Sequence, residues 1–314
     1  MVAAVESWNA RRGGLVRGIT WALDGPVLSL ITDDGDSRLP LEAGLWLRFQ
    51  VESGLGIPAR YCLGYSAVQG PTEAEHHRCP VGQGAERGFQ CGPCFARDDF
   101  RFMHDFHRSG IGPPGLRAYL AQPHWLYAAT FADGTTKVGT ASERSKWTRL
   151  AEQGAIAAQY VARARDGSVV RVLEDAVSKE VGLTQFVRGA AKFSALLQPR
   201  TGTQLDACNR DAAGVVREFL DNLALDGFET ITEQWERSTF ADAVTGAGQR
   251  IAYPQALDSG GHGMRLDSMV GSYALVAVDE ADTVFLADLA ALKGHKIRFG
   301  GYATEVPALQ ESLF

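Results

Sequence analysis

The sequence predicts an α+β protein in which β structure from both ends of the chain frames a cysteine-rich segment and a central α/β unit. Three observations support this prediction: alternating apolar runs near each end, four cysteines grouped between positions 62 and 94, and a strand-turn-strand pattern followed by two helical patterns after position 124. We divide the 314 residues into an N-terminal β segment, a cysteine segment, an α/β unit and a C-terminal region that is first helical and then β: 1–58, 59–122, 123–200 and 201–314.

The composition is that of a protein with a full core, because 45% of the residues are hydrophobic. No stretch reaches the roughly 18 uncharged apolar residues of a membrane-spanning helix. The first 14 residues lack the apolar centre of a signal peptide. We therefore expect a cytoplasmic location, no membrane contact and reduced cysteines.

The β structure at the two ends is predicted from short apolar runs beside acidic turns. Val27 to Thr32 and Leu45 to Val51 flank an acidic turn at 33–36, and the C-terminal region is predicted helical over 209–225 and β from Met264. A Gly-x-x-x-Arg-Phe pattern occurs at 44–49 and again at 294–299. Chance explains one such match; the alternative is a duplicated β unit whose two copies pair into one domain.

The four grouped cysteines predict a structural zinc site with the ligands Cys62, Cys79, Cys91 and Cys94. Two thiolates separated by two residues can bind one tetrahedral ion, and Gly92-Pro93 forms the turn that brings their sulfur atoms to one side. Cys62 and Cys79 are much further apart in sequence, so a long insertion opens the second half of the site.

Several alternatives to this ligand set remain open from the sequence. His76 or His77 could replace a cysteine, and a site made of Cys91, Cys94, His104 and His107 has suitable spacing as well. Cys91 and Cys94 could also form a redox pair, or all the thiols could simply be buried. The redox alternative lacks the strand-turn-helix pattern that usually surrounds such a pair.

Charge is distributed unevenly, although the net charge is only -6. Residues 137–171 contain seven basic and three acidic side chains, a local charge of +4, whereas 209–314 contain eight basic and sixteen acidic ones, a local charge of -8. The basic patch at 137–171 predicts an anionic partner, either nucleic acid or a small anionic ligand. The alternative interpretation is an ordinary solvated helix face.

The central unit is predicted to contain two strands and two helices. The strands are Trp125 to Phe131 and Thr136 to Thr140, joined by a turn at 132–134. The first helix is predicted over 142–162 with a bend near Gly154, and the second over 167–181. On the second helix Glu180 lies near the middle of the apolar face and Glu174 at its edge, and a buried carboxylate needs a cation or donors. Alternatively, fraying of the helix end lets Glu180 reach water.

This order of elements resembles the GIY-YIG nuclease superfamily. Trp125-Leu126-Tyr127 and Lys137-Val138-Gly139 stand where that family has its two tripeptides, Arg149 lies in the first helix and Glu174 in the second. The resemblance implies Mg²⁺ or Mn²⁺ on Glu174, Arg149 on the scissile phosphate and Tyr127 assisting the nucleophile. This chemistry is sound, because the ion acidifies bound water and a guanidinium stabilises charge on phosphate oxygens.

A second resemblance covers more of the chain, about residues 20–190. The run 137–140, then Arg149, then 152–155, all after the Cys91-x-x-Cys94 pair, is similar to a bacterial family of unknown function, domain family 2797. That resemblance implies zinc-binding cysteines ahead of a GIY-YIG-like unit.

The chain departs from the nuclease pattern at two positions. Lys137 stands where the nucleases have a tyrosine, and Gln153 stands where many have histidine. Lys137 could hold an anion but cannot act as a base unless its pKa falls substantially. Alternatively, Lys137 is a solvated strand residue, Tyr127 a core aromatic, and Arg149 the structural ion-pair partner of Glu174.

Three function classes follow from these residues. The first is a metal-dependent phosphodiesterase or nuclease with Tyr127, Lys137, Arg149 and Glu174 as catalytic residues and a structural zinc. The second is a non-catalytic, zinc-containing RNA- or DNA-binding protein. The third is an enzyme for a small anionic or guanidine-like metabolite. In each class the predicted substrate-binding residues are Gly139, Thr140, Arg144, Lys146 and Gln153.

Overall fold

The computed structural model describes residues 13–103, 105–246, 248, 250–279 and 283–305. The strands are β1 (Gly14–Ala22), β2 (Gly25–Thr32), β3 (Gly35–Pro40), β4 (Trp46–Val51), β5 (Tyr65–Val68), β6 (Ala74–His77), β7 (His124–Thr130), β8 (Thr136–Ser142), β9 (Ala157–Ala164), β10 (Phe228–Gln234), β11 (Ile251–Ala252), β12 (Gly260–Val270), β13 (Tyr273–Ala277), β14 (Val284–Asp288) and β15 (Lys296–Phe299). The helices are α1 (Gly92–Arg97), α2 (Phe106–Ser109), α3 (Pro114–Leu120), α4 (Lys146–Gln153), α5 (Gly167–Glu180), α6 (Gly189–Leu197), α7 (Gly202–Asp221) and α8 (Asp242–Thr245). The predicted α+β class is confirmed.

A nine-stranded sheet combines strands from both ends of the chain, in the order β11-β14-β13-β12-β4-β15-β1-β2-β3. β4 lies antiparallel between β12 and β15, and Phe49 pairs with Phe299 across the β4–β15 ladder. The two Arg-Phe pairs of the repeated sequence pattern therefore occupy neighbouring strands. This pairing joins the chain ends through backbone hydrogen bonds.

A four-stranded antiparallel sheet, in the order β10-β9-β7-β8, forms the second sheet. One of its faces, with Leu126, Val138 and Val161, packs against α5 and α7. The opposite face, with Trp125, Tyr127 and Tyr160, shares a core with α4 and the nine-stranded sheet. The smaller sheet is thus buried on both faces, which explains why β7 is buried along its whole length.

The cysteine segment contains the short hairpin β5–β6 followed by α1, a single 3₁₀ turn at Asp99–Phe102, α2 and α3. The sequence of residues 95–124, rich in Arg, Phe, His, Gly and Pro, predicts irregular structure with a break at the Gly-Pro-Pro-Gly run 112–115. This prediction is wrong where α2 and α3 form. α3 begins at Pro114, within the Gly-Pro-Pro-Gly run that suggested a break. Proline suits the first turn of a helix because that turn needs no backbone N–H donor.

The predicted helix over 142–162 is wrong in its second half. α4 ends at Gly154, whose left-handed backbone (φ 71°) terminates the helix. The chain then turns into β9, which lies between β7 and β10 and contributes buried side chains to both faces of the sheet. Alanine-rich sequence favours helix locally, but sheet pairing overrides that preference here.

α5 starts where the sequence predicts, and α7 starts earlier than the sequence predicts. α5 begins after Asp166, whose carboxylate accepts hydrogen bonds from the backbone of Ser168 and Val169. α7 begins after Thr201, in a capping box with Gln204, rather than at the predicted position 209. In the described part of the chain, no helix is long and apolar enough to cross a membrane.

We expect Phe49→Ala to lower the free energy of unfolding by about 3–5 kcal/mol, because a large cavity would open in the middle of the nine-stranded sheet. Phe49 is 1% exposed and its ring centroid lies 5.2 Å from that of His262. Urea unfolding followed by fluorescence measures the change. Leu23→Ala, at a side chain that is 83% exposed, is the control and should change stability little. Equal effects of the two substitutions would contradict the assigned core.

Candidate active centre and cysteine site

Tyr127 lies at the centre of β7 and is fully buried. Gly139 is its partner on β8, and a side chain on Gly139 would overlap the Tyr127 ring and hydroxyl. Glycine is therefore required at this position by a close approach of the tyrosine ring, not by an unusual backbone angle. Gly139, a predicted substrate-binding residue, therefore packs directly against the Tyr127 ring.

The hydroxyl of Tyr127 is positioned by Gln153 at the end of α4. The Gln153 amide Nε2 donates to the tyrosine oxygen over 2.7 Å. Burial raises the pKa of Tyr127, although Arg149 and the Gln153 hydrogen bond act in the opposite direction. Tyr127 therefore stays protonated at neutral pH, and its own O–H is free to act as a donor.

Lys137 is buried, with 7% of its surface exposed, rather than solvated on a strand face. The segment after α5 covers it, because Thr184 pairs with β8 and the Lys137 Nζ donates to the Gln185 carbonyl over 3.4 Å. The ammonium also lies 5.7 Å from the centroid of the Tyr127 ring. Burial and the nearby Arg149 lower the pKa of Lys137 to about 8.

Arg149 and Lys192 complete a group of cations beside Tyr127. Arg149 is exposed, and it is close enough to lower the pKa of both Lys137 and Lys192. Lys192, on α6, donates to the Gln153 carbonyl over 2.8 Å and lies 4.2 Å from the centroid of the Phe131 ring. Burial and Arg149 lower the pKa of Lys192 to about 8. The sequence contains no signal that identifies Lys192, because α6 reaches this place only through the tertiary fold.

Glu174 is the carboxylate of this group, and it is 4% exposed. Its ion-pair partner is Arg171, one turn earlier on α5, and not Arg149 as the structural alternative supposed. Burial raises the pKa of Glu174 more than the attraction of Arg171 and Lys137 lowers it. For Glu180 the alternative of access to water holds: it is the last residue of α5, and its exposed carboxylate pairs with Lys179.

We call this group the Tyr127 cluster, and it contains the four predicted catalytic residues and two more: Tyr127, Lys137, Arg149, Gln153, Glu174 and Lys192. Its members come from five separate elements, namely β7, β8, α4, α5 and α6. Of its three cations, Lys137 and Arg149 act on the pKa of Glu174, a carboxylate that already pairs with Arg171. Such an arrangement can bind a phosphate or another compact anion.

Three predicted substrate-binding residues do not belong to the cluster. Thr140 lies on the face of β8 that Val138 shares, opposite to that of Gly139, because side chains alternate along a strand. Arg144 donates to the Thr72 carbonyl over 2.7 Å. Lys146 lies over the Trp125 ring and pairs with Glu233 at 2.7 Å.

The basic patch at 137–171 is also less available than its composition suggests. Four of its seven cations form ion pairs with acidic side chains, two of them on β10: Lys146–Glu233, Arg163–Glu229, Arg165–Asp166 and Arg171–Glu174. Cross-strand pairing between β9 and β10 brings in this acidic charge, which a count along the sequence cannot include. The unpaired positive charge is concentrated at the Tyr127 cluster.

The four predicted metal ligands come together in the cysteine segment. Their sulfur atoms all lie within 4.8 Å of one another, and Cys79 Sγ is 3.9 Å from Cys91 Sγ. No disulfide bond links them, because such a bond requires sulfur atoms about 2.05 Å apart. All four cysteines are free thiols in a space that can hold a metal ion.

Backbone donors support the charge that these sulfur atoms carry when they bind a cation. Cys62 Sγ accepts hydrogen bonds from the backbone N–H of Gly64 at 3.3 Å and of Cys91 at 3.1 Å. Burial raises the pKa of Cys62 and Cys94. A metal ion reverses that preference, because its own charge stabilises the thiolates.

The histidines that were alternative ligands lie elsewhere. The His76 Nε2 bonds to the Leu63 carbonyl at 2.6 Å, and His77 stacks on Tyr65 with 4.9 Å between the ring centroids. His107 faces α5, where its Nε2 lies 3.5 Å from a carboxylate oxygen of Asp175. His104 lies outside the described residues. Among the residues that the structure describes, the cysteines alone form a cluster with metal-binding geometry.

Comparison of the chain with protein-family models, with curated proteins and with solved structures gives no match.

We expect Lys137→Met to stabilise the protein at pH 7, by up to about 3 kcal/mol, because it removes a buried charge and keeps the apolar stem. The pKa of Lys137 is about 8 in the folded protein and near 10.5 when unfolded. Below pH 8 both states are charged and the wild-type protein carries the full penalty. Between these values the unfolded state binds more protons, so wild-type stability rises with pH and the difference between the two proteins shrinks.

Urea denaturation of both proteins at pH 7 and pH 10 measures this difference. Lys179→Met is the control, because its side chain is 81% exposed on α5. A gap between wild type and Lys137→Met that stays constant from pH 7 to pH 10 contradicts the buried-charge interpretation.

Proposed function

We propose that this chain is a divergent GIY-YIG-type phosphodiesterase or nuclease that depends on a divalent metal, with the four-cysteine site as a structural zinc centre. One observation carries the proposal: Tyr127, Lys137, Arg149 and Glu174, which the resemblance selects from separate elements, lie around one another in the fold. Residues chosen only by chance matches along a sequence have no reason to meet in this way.

The hairpin that carries Tyr127 and Lys137 supports the same proposal. Tyr127 pairs with Gly139 across β7 and β8, so the two tripeptides of the resemblance lie side by side. α4 follows this hairpin and carries Arg149, and α5 follows β9 and carries Glu174. The two strands and two helices on which the resemblance rests follow one another in the expected order, with β9 as an additional strand between the helices.

The side chains of the Tyr127 cluster are suited to bind a phosphodiester and to position the groups that react. Arg149 is the exposed cation and offers a fork of donors to phosphate oxygens. Lys137 and Lys192 are more deeply buried than Arg149, and their low exposure strengthens the electrostatic attraction between their ammonium groups and a phosphate. Tyr127 is protonated and its oxygen is fixed by Gln153, so it donates a hydrogen bond to a substrate oxygen or to the attacking water.

Glu174 is the residue that would hold the divalent ion. It is the single carboxylate of the cluster, so the remaining ligands of Mg²⁺ or Mn²⁺ would be water and substrate oxygens, as is common for these ions. When bound, the ion would lower the pKa of a coordinated water and neutralise charge on the phosphate. Arg171 must then share or release the carboxylate, and its guanidinium would become available to the phosphate.

A second function is favoured by the Arg171–Glu174 ion pair itself. If that pair stays closed, the carboxylate is unavailable to a metal and the cluster is only a binding site for the phosphates of RNA or DNA. Such binding weakens steeply as salt increases, because phosphate contacts release counterions. This second candidate needs the same cations but no metal at Glu174.

We propose zinc for the cysteine site on the basis of its geometry. Tetrahedral Zn²⁺ with bonds of about 2.3 Å places its sulfur ligands about 3.8 Å apart. The Cys79 and Cys91 sulfur atoms are 3.9 Å apart, and all four fit within 4.8 Å. Four thiolates leave no open position for substrate, so the proposed role of this metal is structural.

Elemental analysis of purified protein should give about one zinc per chain. Cys91→Ser should lose the metal and lower the melting temperature, because the segment has few other contacts to hold it together. Cys208→Ser is the matched control, since Cys208 lies on α7 and should keep the zinc content unchanged. A protein without bound metal, or a Cys91→Ser variant with full metal content, would contradict the zinc assignment.

We expect Glu174→Gln to reduce metal-dependent phosphodiesterase activity about 100-fold or more, because the amide loses the charge that binds the divalent ion. Glutamine keeps the shape of the side chain and can still accept from Arg171, so the melting temperature and zinc content should change little. The assay follows cleavage of single- and double-stranded RNA and DNA, and of a chromogenic phosphodiester, with Mg²⁺ or Mn²⁺.

Glu180→Gln is the matched control on the same helix, because its carboxylate pairs with Lys179 in solvent. Full activity of Glu174→Gln would remove this carboxylate from the reaction. No cleavage by the wild-type protein, combined with salt-sensitive binding of nucleic acid, would favour the second candidate. Unfolding of Glu174→Gln would show instead that the Arg171–Glu174 pair is structural.

A further inference from the structure

A cavity of about 580 Å³ lies between the cysteine segment and the nine-stranded sheet. Its walls are the chain after Cys62, the loop before Cys91 and the first turn after it, with Arg17 of β1 and Lys293 closing the side toward the sheet. This volume is within the usual range for small-molecule sites. None of its lining residues belongs to the Tyr127 cluster.

The charge of this cavity is positive, because Arg17, Arg87 and Lys293 face a single carboxylate, Asp98. Asp98 does not neutralise them. One of its oxygens accepts from the Ser66 backbone and the Gln90 amide, and the other accepts from the Phe100 backbone. Its hydrogen-bonding capacity is used to shape the segment.

Two of the three cations have no carboxylate partner among the described residues. Arg17 pairs with Asp36 at 2.9 Å, but no acidic oxygen lies within 4.0 Å of Arg87 or Lys293 in that part of the chain. Each is held beside an aromatic ring instead: the Lys293 Nζ lies 4.4 Å from the Phe89 centroid and the Arg87 Cζ lies 5.1 Å from that of Phe95. These two cations are positioned by packing and remain available to an anion.

His76 adds a hydrogen-bond acceptor to the same cavity. Its Nε2 lies 2.6 Å from the Leu63 carbonyl, which can only accept, so Nε2 carries the proton. The Nδ1 is then an acceptor, and it is buried without a partner among the described residues. Burial lowers the pKa of His76, which keeps the ring in this neutral form. Because Nδ1 has less than 1 Å² of accessible surface, a ligand hydroxyl reaches it only when the His76 ring shifts toward the cavity.

From these features we infer that the cavity binds a phosphate-bearing ligand with hydroxyl groups and a flat apolar part, the chemistry of a ribonucleotide. Arg87 and Lys293 bind the phosphate, His76 accepts from a ribose hydroxyl, and the rings of Tyr65, Phe89 and Phe95 line the space for the base. The ligand is either a free nucleotide or the terminal nucleotide of an RNA strand.

Isothermal titration calorimetry on the full chain, loaded with zinc, tests the inference with adenosine monophosphate as the probe. Arg87→Met and Lys293→Met should each weaken binding about tenfold or more, because each removes a charge-assisted contact to phosphate. Lys179→Met, an exposed lysine on α5, is the control and should bind like wild type. The 2′-deoxy and 3′-deoxy analogues test the hydroxyl, and one of them should bind more weakly than the parent nucleotide.

The two sources of the ligand give different results with a five-nucleotide RNA. A strand end is indicated if the RNA binds at least tenfold more tightly than the mononucleotide and loses affinity in the same variants. A free nucleotide is indicated if the RNA binds no more tightly. Glu174→Gln should bind the mononucleotide normally, so failure of the phosphodiesterase proposal leaves this site intact.

The inference is overturned if the mononucleotide shows no binding up to about 10 mM, or if Arg87→Met and Lys293→Met bind it as well as Lys179→Met does. Equal binding by both deoxy analogues and the parent compound removes His76 from the site. Lys293→Met is expected to fold, because it exchanges a partly buried charge for an apolar side chain of similar shape. A melting curve of each variant verifies this point.

Discussion

The shape of the cysteine segment depends on whatever holds four thiol groups within 4.8 Å of one another. The apolar cluster of this segment consists of three of the cysteines themselves, with Tyr65 and Cys79 packed against them. Its hairpin has strands of only four residues, which is too little for independent stability. A metal ion bound by the four sulfur atoms would therefore stabilise the part of the segment in which the cysteines take the place of a larger apolar core.

The wall of the positively charged cavity and the contact between His107 and Asp175 both depend on the close approach of the four cysteines. The walls of the positively charged cavity are formed next to the ligands: Leu63 and Gly64 follow Cys62, and Gln90 precedes Cys91. The chain beyond Cys94 then reaches α5, where the His107 ring is placed beside Asp175, the neighbour of Glu174 in sequence. The four-cysteine site thus positions one wall of the cavity and one contact next to the Tyr127 cluster, although it lies in neither.

The sequence allowed the candidate site to be predicted where local rules decide the structure. The tight turn at 132–134 forces β7 and β8 to pair, which sets Tyr127 opposite Gly139. The sequence-based prediction was wrong about β9, because Ala157, Ala158 and Ala162 favour helix and only the pairing with β7 and β10 makes them part of a strand. Lys192 could not be predicted, since its position depends on the whole path after α5. The Arg171–Glu174 ion pair is predictable from the sequence, because residues at i and i+3 on a helix are neighbours.

Buried lysines that make no ion pair among the described residues are common to the two proposed sites. Burial lowers the pKa of Lys137, Lys192 and Lys293, and no acidic oxygen lies within 4.0 Å of any of them in the described part of the chain. Unpaired buried charge is costly, and such groups concentrate where a ligand supplies the opposite charge. α4 is close to both the Tyr127 cluster and the cavity, because burial raises the pKa of Glu152 on this helix while Arg149 of the cluster and Lys293 of the cavity both act to lower it. Glu174 in the Tyr127 cluster is already paired with Arg171, and Asp98 in the cavity accepts hydrogen bonds from Ser66, Gln90 and Phe100. An anion from outside the chain is therefore the partner that we propose for the buried cations at both places.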